Sequence, residues 1–396
     1  MSTTATREAV EAVWRIESAR LIAGLARVTG DLGLAEELAQ DALVTALEQW
    51  PSGGIPANPA GWLMTTAKRL AIDAHRHRIV YQRKLETIGR AQPGHDLADE
   101  IDRAIDDALD DHIGDDLLRL IFTAAHPALS TESRVALTLR CLCGLSTQEI
   151  GRAYLVSTAT AAARIVRAKR TLAAQSVRFE LPDPAAMADR LASVLEVIYL
   201  IFNEGYSASS GDDWMRPALC EEALRLGRVL AGLVPDEPEV HGLVALMEIQ
   251  ASRTAARTGP DGEPVLLADQ DRRAWDRLLI RRGLAALQRA ESLSKPIGPY
   301  TLQAAIAACH ARATRAQDTD WARIASLYVV LAHVWPSPVV ELNRAVAVGM
   351  ADGPAAGLAV LDAAVNRGEL DDYPLAHAVR GDLLALYQGF LPALID

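Results

Sequence analysis

The stretch ESRVALTLRCLCGLSTQEIGRAYLVSTATAAARIVRAKRTL, residues 132–172, decides the fold. Its first piece places apolar residues three and four apart and ends at Gly144, which is the pattern of a helix closed by a glycine. Ser146 and Glu149 then stand at the spacing of a capping box, where a serine hydroxyl and a glutamate carboxylate each satisfy a backbone N–H at a helix start. A third helix is expected from Ser157 or Thr158, with Ala161, Ile165, Ala168 and Leu172 as its buried stripe. Thr160, Arg164 and Arg167 occupy the neighbouring stripe, and Lys169 and Arg170 lie beyond it. Helix, short turn, helix of small residues and then a basic third element is the layout of a helix-turn-helix. Such a third helix fits a major groove, early residues toward base edges and arginines toward guanine or phosphate. The same pattern also fits a helical hairpin with a solvated basic face.

Working outward, the helical period persists almost everywhere, so the chain reads as all-α. In AEELAQDALVTALEQW (35–50) the residues Ala35, Leu38, Ala39, Ala42, Leu43, Ala46, Leu47 and Trp50 form one apolar stripe, which leaves Glu36, Glu37, Gln40 and Asp41 for the outer faces. That helix is expected to stop at Pro51, before a Ser-Gly-Gly loop. The next begins near Pro59 and runs through GWLMTTAKRLAIDAHRHR.

The whole chain has 396 residues, half of them hydrophobic and 23% charged, which is a folded, multidomain composition. Four cysteines without a CxxC pair read as buried reduced thiols, and no metal site or cofactor is expected. His75 and His77 form an HxH pair with no third ligand nearby. No P-loop, GxSxG, HExxH or GxGxxG is present, so an enzyme is not expected. The first residues, MSTTATREAV, resemble no signal peptide, and no run approaches a membrane span, so a cytoplasmic location without membrane contact is expected.

The net charge of −11 is unevenly spread. Residues 67–90 carry seven Lys or Arg against two acids, residues 91–116 carry ten acids against Arg103, and residues 150–178 carry six basic residues and no acid. Two basic islands separated by an acidic bridge suggest a polyanion gripped at two places.

These segments, in this order, resemble a bacterial RNA polymerase sigma factor of the extracytoplasmic-function (ECF) group. AEELAQDAL (35–43) resembles the acidic helix that docks on the clamp coiled coil of the polymerase's large subunit, which implies core polymerase contacts by Glu36, Glu37, Leu38, Gln40 and Asp41. NPAGWLMTTAKRLAIDAHRHR (58–78) is similar to the segment that opens and reads the minus-ten element, which implies roles there for Asn58, Trp62, Lys68, Arg69, Asp73, Arg76 and Arg78. The helix-turn-helix resembles the domain that reads the minus-thirty-five element, through Ser157, Thr158, Thr160, Arg164, Arg167, Lys169 and Arg170. Two departures stand out: Arg69 replaces an asparagine common in the family, and Ala161, Ala162 and Ala163 occupy positions where many members carry polar side chains. The implied partners are core RNA polymerase and promoter DNA. The implied layout is a region 2 domain at 7–90, an acidic linker at 91–112 whose charge suits a nucleic-acid mimic, and a region 4 helix-turn-helix domain at 113–178.

The chain then continues beyond the boundary Leu181-Pro182-Asp183-Pro184, and residues 185–396 are expected to be a helical extension. Ala345, Gly357 and Ala364 fall at the small-residue positions of a tetratricopeptide-like helix pair. With YLIFNEGYSASSGDD (199–213), this resembles an ECF subgroup with a long tetratricopeptide-type extension, which implies a regulatory domain making intramolecular or peptide contacts. Residues Asn203, Glu204, Tyr206, Ser207, Ser209, Asp212 and Asp213 read either as a contact site or as a polar connection. The competing readings are a one-component regulator, with the helix-turn-helix as its sole DNA reader and the extension as sensor, and a helical scaffold. A scaffold would show no steep loss of DNA affinity with added salt.

Overall fold

The computed structural model describes residues 3–86, 113–206, 215–259, 263–367 and 374–390. Within them lie sixteen α-helices and no β-strand. The chain divides into two compact units, 1–226 and 227–396.

The first unit opens with α1 (Thr3–Thr29), α2 (Leu32–Gly53) and α3 (Pro59–Glu86). Asp31 caps α2, its carboxylate accepting from the Leu34 N–H at 3.1 Å. The expected stop at Pro51 is corrected. The helix continues to Gly53, because a proline in the last turn forfeits only one backbone bond there, and Gly54 at φ 82° ends it. Asn58 opens α3 by accepting the Gly61 N–H at 3.0 Å. Leu21, Ile22, Ala35, Ala39 and Leu63 fill the core among these three helices.

Next come α4 (Ile113–Ala124), α5 (Thr131–Leu142), α6 (Thr147–Ala153) and α7 (Thr158–Ala174). The acidic linker, 91–112, lies outside the described residues. Asp115 and Asp116, the last acids of the 91–116 run, lie in the first turn of α4, where acids favour the helix N-terminus. Ser130 and Ser157 cap α5 and α7, and Ser146 with Glu149 forms the expected capping box on α6. Gly144, at φ +67°, turns the chain between α5 and α6 in a conformation costly for any other residue.

The unit does not end with α7. Helix α8 (Met187–Tyr206) lays Leu191, Val194, Leu195 and Ile198 inward and packs on α4 and α5. Ser193 donates to the Ala125 carbonyl at 2.6 Å, Arg190 to the Phe122 carbonyl at 2.8 Å, and Arg134 bridges Ser193 and Glu196 at 2.5 and 2.9 Å. Of the polar group at 203–213, Glu204 is ion-paired with Arg216, whereas Ser207, Ser209, Asp212 and Asp213 lie outside the described residues.

Helix α9 (Pro217–Leu233) leads into the second unit: α10 (Pro238–Ala251), α11 (Arg277–Ser292), α12 (Pro299–Arg312), α13 (Trp321–Val334), α14 (Pro338–Asp352), α15 (Pro354–Asn366) and α16 (Pro374–Phe390). From α11 on, successive helices pack against one another, and α10 touches both α11 and α12. A single residue, Gly353, joins α14 to α15. There the expected small residues do what their size permits. A Cβ at Gly357 would stand 2.7 Å from the Ala345 carbonyl oxygen and 2.8 Å from the Gly349 Cα, and Ala345 and Ala364 are fully buried. Helix α10 stops at Ala251, and a 3₁₀ turn over Thr254–Ala256 follows.

Candidate polymerase and nucleic-acid interfaces

Helices α6 and α7 make the helix-turn-helix. Gly151 faces the turn so closely that a Cβ would lie 3.0 Å from the Val156 carbonyl oxygen, and Leu155 turns the corner at φ 49°. Leu155 is a non-glycine residue in left-handed backbone, which costs on the order of 1 kcal/mol. Ala161, Ile165, Ala168 and Leu172 are buried, as the period requires. The opposite surface of α7 leaves Ser157, Thr158, Thr160, Arg167 and Arg170 exposed. The Ser157 and Thr160 hydroxyls are 2.8 Å apart at the helix start.

Two expected members of that surface are placed differently. Arg164 is half-buried and lines a cavity of about 160 Å³ with Glu132, Tyr154 and Glu204. Glu132 sits below the ordinary carboxylate range, held there first by hydrogen bonds to backbone N–H and the Ser130 hydroxyl and then by Arg164 and Arg167. Lys169 is turned inward altogether.

The partner of Lys169 is on α2. Its ammonium lies 2.6 Å from one Glu36 oxygen, and the Arg140 Nε of α5 lies 2.7 Å from the other. Lys169 also reaches the Gly33 carbonyl at 3.4 Å, and Arg140 the Leu145 carbonyl at 3.2 Å. Glu36 is therefore 4% exposed, which corrects its expected place on the outer face. Packing α1 and α2 against α5 and α7 gives α2 two buried sides where an isolated amphipathic helix has one. Leu38 is buried as well, Gln40 is half-buried in a cleft with Trp14 and Arg140, and Glu37 and Asp41 remain exposed.

Further bonds close the same seam. The Trp14 indole donates to the Gly144 carbonyl at 3.1 Å, and Arg15 pairs with Glu149 at 2.8 Å. Buried Asp116 binds Arg27 at 3.4 Å and Arg119 at 2.7 Å. Sequence reasoning missed Arg140, Asp116 and Trp14, because the partners that tie them across the seam, Glu36, Arg27 and Gly144, lie 89 residues or more away. Beneath the seam Cys141 and Cys143 are fully buried, and burial pushes the Cys141 thiol up to about 12.

On α3, Trp62 is half-buried and meets the ring of buried Trp50 edge to face, with centroids 5.4 Å apart. Asn58 is occupied as the cap of α3. Arg69 and Asp73 are exposed and Lys68 is half-buried. Arg76 and Arg78 fall on α3, but their side chains lie outside the described residues. Among the described residues, no cluster of His, Cys, Asp and Glu could hold a metal ion, and no helix is long and apolar enough to cross a membrane.

Known families match the chain in three segments. Residues 16–79 match Sigma-70 region 2, residues 119–172 match Sigma-70 region 4, and residues 190–291 match a family of unknown function (DUF6596). A region 2 helical domain followed by a region 4 helix-turn-helix defines a sigma factor. The chain belongs to the same family as an uncharacterized protein of Rhizobium meliloti (strain 1021), with 46% identity over 364 residues, covering 91% of this chain and 84% of that relative. It is also 28% identical over 163 residues to the probable ECF RNA polymerase sigma factor SigI of Mycobacterium tuberculosis, covering 41% of this chain and 54% of that protein. No solved structure matches the chain.

Proposed function

We propose that the chain binds core RNA polymerase and directs promoter-specific transcription initiation, as a sigma factor of the extracytoplasmic-function type whose C-terminal helices modulate it. The observation that carries this reading is the pairing, in one compact unit, of a region 2 helical domain with a helix-turn-helix that exposes Ser157, Thr158, Thr160, Arg167 and Arg170. In this reading α7 enters the minus-thirty-five major groove, Arg167 and Arg170 meeting phosphate or guanine and the hydroxyls sitting near base edges. Helix α3 carries the minus-ten contacts, with Arg69 and Asp73 on its exposed face.

Polymerase is met by α2, through Glu37, Gln40 and Asp41 directly. Glu36 joins only after α2 parts from α5 and α7, because Arg140 and Lys169 cover its carboxylate in the closed arrangement, and Leu38 supports α2 from its buried stripe. Lys169 is released for DNA by the same movement. Closed and open forms then differ in function, and the packing of α8 on α4 and α5 supports the reading that the extension biases them.

Run-off transcription on genomic fragments, with purified core polymerase and the full-length protein, tests the proposal. New start sites that depend on the protein are expected. In duplex binding, Arg167→Ala with Arg170→Ala should lower the slope of log affinity against log salt by about 2. Binding to duplex DNA without any gain of starts by core polymerase would replace the proposal with a one-component regulator.

A further inference from the structure

The surface that α7 turns away from its buried stripe is not uniformly polar. Ala159, Ala163, Val166 and Arg170 follow one another at intervals of four, three and four residues, which places them on one line along the helix. All of them are exposed, and Val166 leaves 44% of its surface in water. Thr160 and Arg167, exposed as well, run beside that line, so the hydroxyl and basic groups of α7 flank an apolar strip. The core contact of the helix lies on its other side. Ala161, Ile165, Ala168 and Leu172 are at most 6% exposed, and Val166 stands outside that stripe.

Charge limits what can cover this face. Residues 150–178 carry six Lys or Arg and no acid, which suits an anionic partner, and the promoter duplex proposed for α7 is one. In a major groove a valine has one good neighbour. Against the N7, O6, N6 or N4 atoms of guanine, adenine and cytosine it would strip water from a donor or acceptor without replacing the hydrogen bond. The C5 methyl of thymine is itself apolar, so contact there removes both surfaces from water.

We infer, on the reading of α7 as a duplex reader, that Val166 determines specificity by packing on the C5 methyl group of a thymine. Ala159 and Ala163 have side chains short enough to let the helix come that close to the base edges. At about 1.5 Å per residue, Ala159 and Val166 stand roughly 10 Å apart along the axis, or about three base-pair steps. The thymine therefore falls within a window of about four base pairs, beside the bases or phosphates met by Thr160 and Arg167.

Duplexes enriched from a random pool by the full-length protein, alone and together with core polymerase, supply the probe. Each thymine of the enriched site is replaced in turn by deoxyuridine, which keeps the pairing and the O4 acceptor and removes only the methyl. Loss of the methyl that meets Val166 should weaken binding by about fourfold, equivalent to about 0.8 kcal/mol for one buried methyl. Val166→Ser should weaken binding to the thymine duplex by a similar factor and bring the thymine-to-deoxyuridine ratio at that position to about one. Arg167→Ala should lower affinity for both duplexes alike and leave the ratio in place. Val329→Ser, at an exposed valine of the second unit, should change neither. The deoxyuridine series uses the unaltered protein, so it decides the matter even where a variant does not fold. Enriched sites without thymine, full affinity for every deoxyuridine duplex, or a ratio that Val166→Ser leaves unchanged would overturn the inference and leave the duplex reading intact. No enrichment of any duplex, with or without polymerase, would overturn both.

Discussion

Replacing Arg140 with glutamine should open the first unit without touching any residue proposed to contact polymerase or DNA. Arg140 donates to Glu36 at 2.7 Å, across side chains that are 17% and 6% exposed. A charge-assisted bond in such surroundings contributes about 1.5–3 kcal/mol, and Glu36 keeps its second partner, Lys169, at 2.6 Å. The loss therefore falls short of the 3–5 kcal/mol of a wholly orphaned buried charge, and about 2 kcal/mol is expected. That weakens the closed form relative to the open one by roughly 30-fold. Spin labels at Glu48→Cys on α2 and Ala163→Cys on α7, both exposed positions, report the separation, and the four native cysteines are buried. Arg140→Gln should add a longer component to the distance distribution and tighten core polymerase binding by up to the same factor, because binding draws on the open fraction. An unchanged distribution together with unchanged or weaker polymerase affinity, in a protein with native helicity, would refute the reasoning.

Other consequences are open to measurement. His310 is neutral in the folded chain down to about pH 4, whereas an unfolded histidine protonates near 6.5, so its contribution to stability is fully present above pH 6.5 and is lost as pH falls toward 4. His310→Gln should flatten the pH dependence of the thermal midpoint in that window by an amount on the order of 3 kcal/mol, and a slope identical to the parent's would contradict the assignment. Gly357→Ala should destabilise the α14/α15 pair by about 1–3 kcal/mol, since the new methyl meets backbone rather than a yielding side chain; chemical denaturation measures it. Arg134→Ala removes the buried bond to Ser193 and the pair with half-exposed Glu196 and should cost about 1–2 kcal/mol, seen as earlier loss of α5 and α8 in hydrogen exchange.

The elements governed by neighbours in sequence were legible before any coordinates. The Ser146–Glu149 capping box, the start of α7 at Ser157, the glycine turn at Gly144 and the buried stripe of α7 all follow from interactions between residues three or four apart, whereas the Ser130 cap of α5 was not anticipated. Pro51 misled because a proline at a helix end loses little. Glu36 misled for a deeper reason: periodicity tells which face is apolar, not whether a second domain will cover the polar face, and the two cations that receive it lie 104 and 133 residues away. Trp62 and Asn58 stand where the resemblance puts DNA contacts, yet an aromatic neighbour and a helix N-terminus also explain them. A cavity between α10, α12, α13 and α14 had no sequence signature, since Arg253, Trp275, His310 and Asn343, which line it, belong to four separate segments.

Helix α8 bears on how this chain can be taken apart. The region 4 match ends at residue 172, yet Ser193 and Arg190 hold the carbonyls that close α4, and Arg134 of α5 finds its acceptors on α8. A fragment cut at the family border would present Ile121, Val135 and Leu142 with part of their cover gone, since they line the same spaces as Val194, Ile198 and Leu200 of α8. The DNA-reading module is thus not portable at its sequence border. Any hybrid that transplants it must carry residues through Tyr206, and a loss of activity on shorter truncation would report a damaged reader rather than a missing regulator.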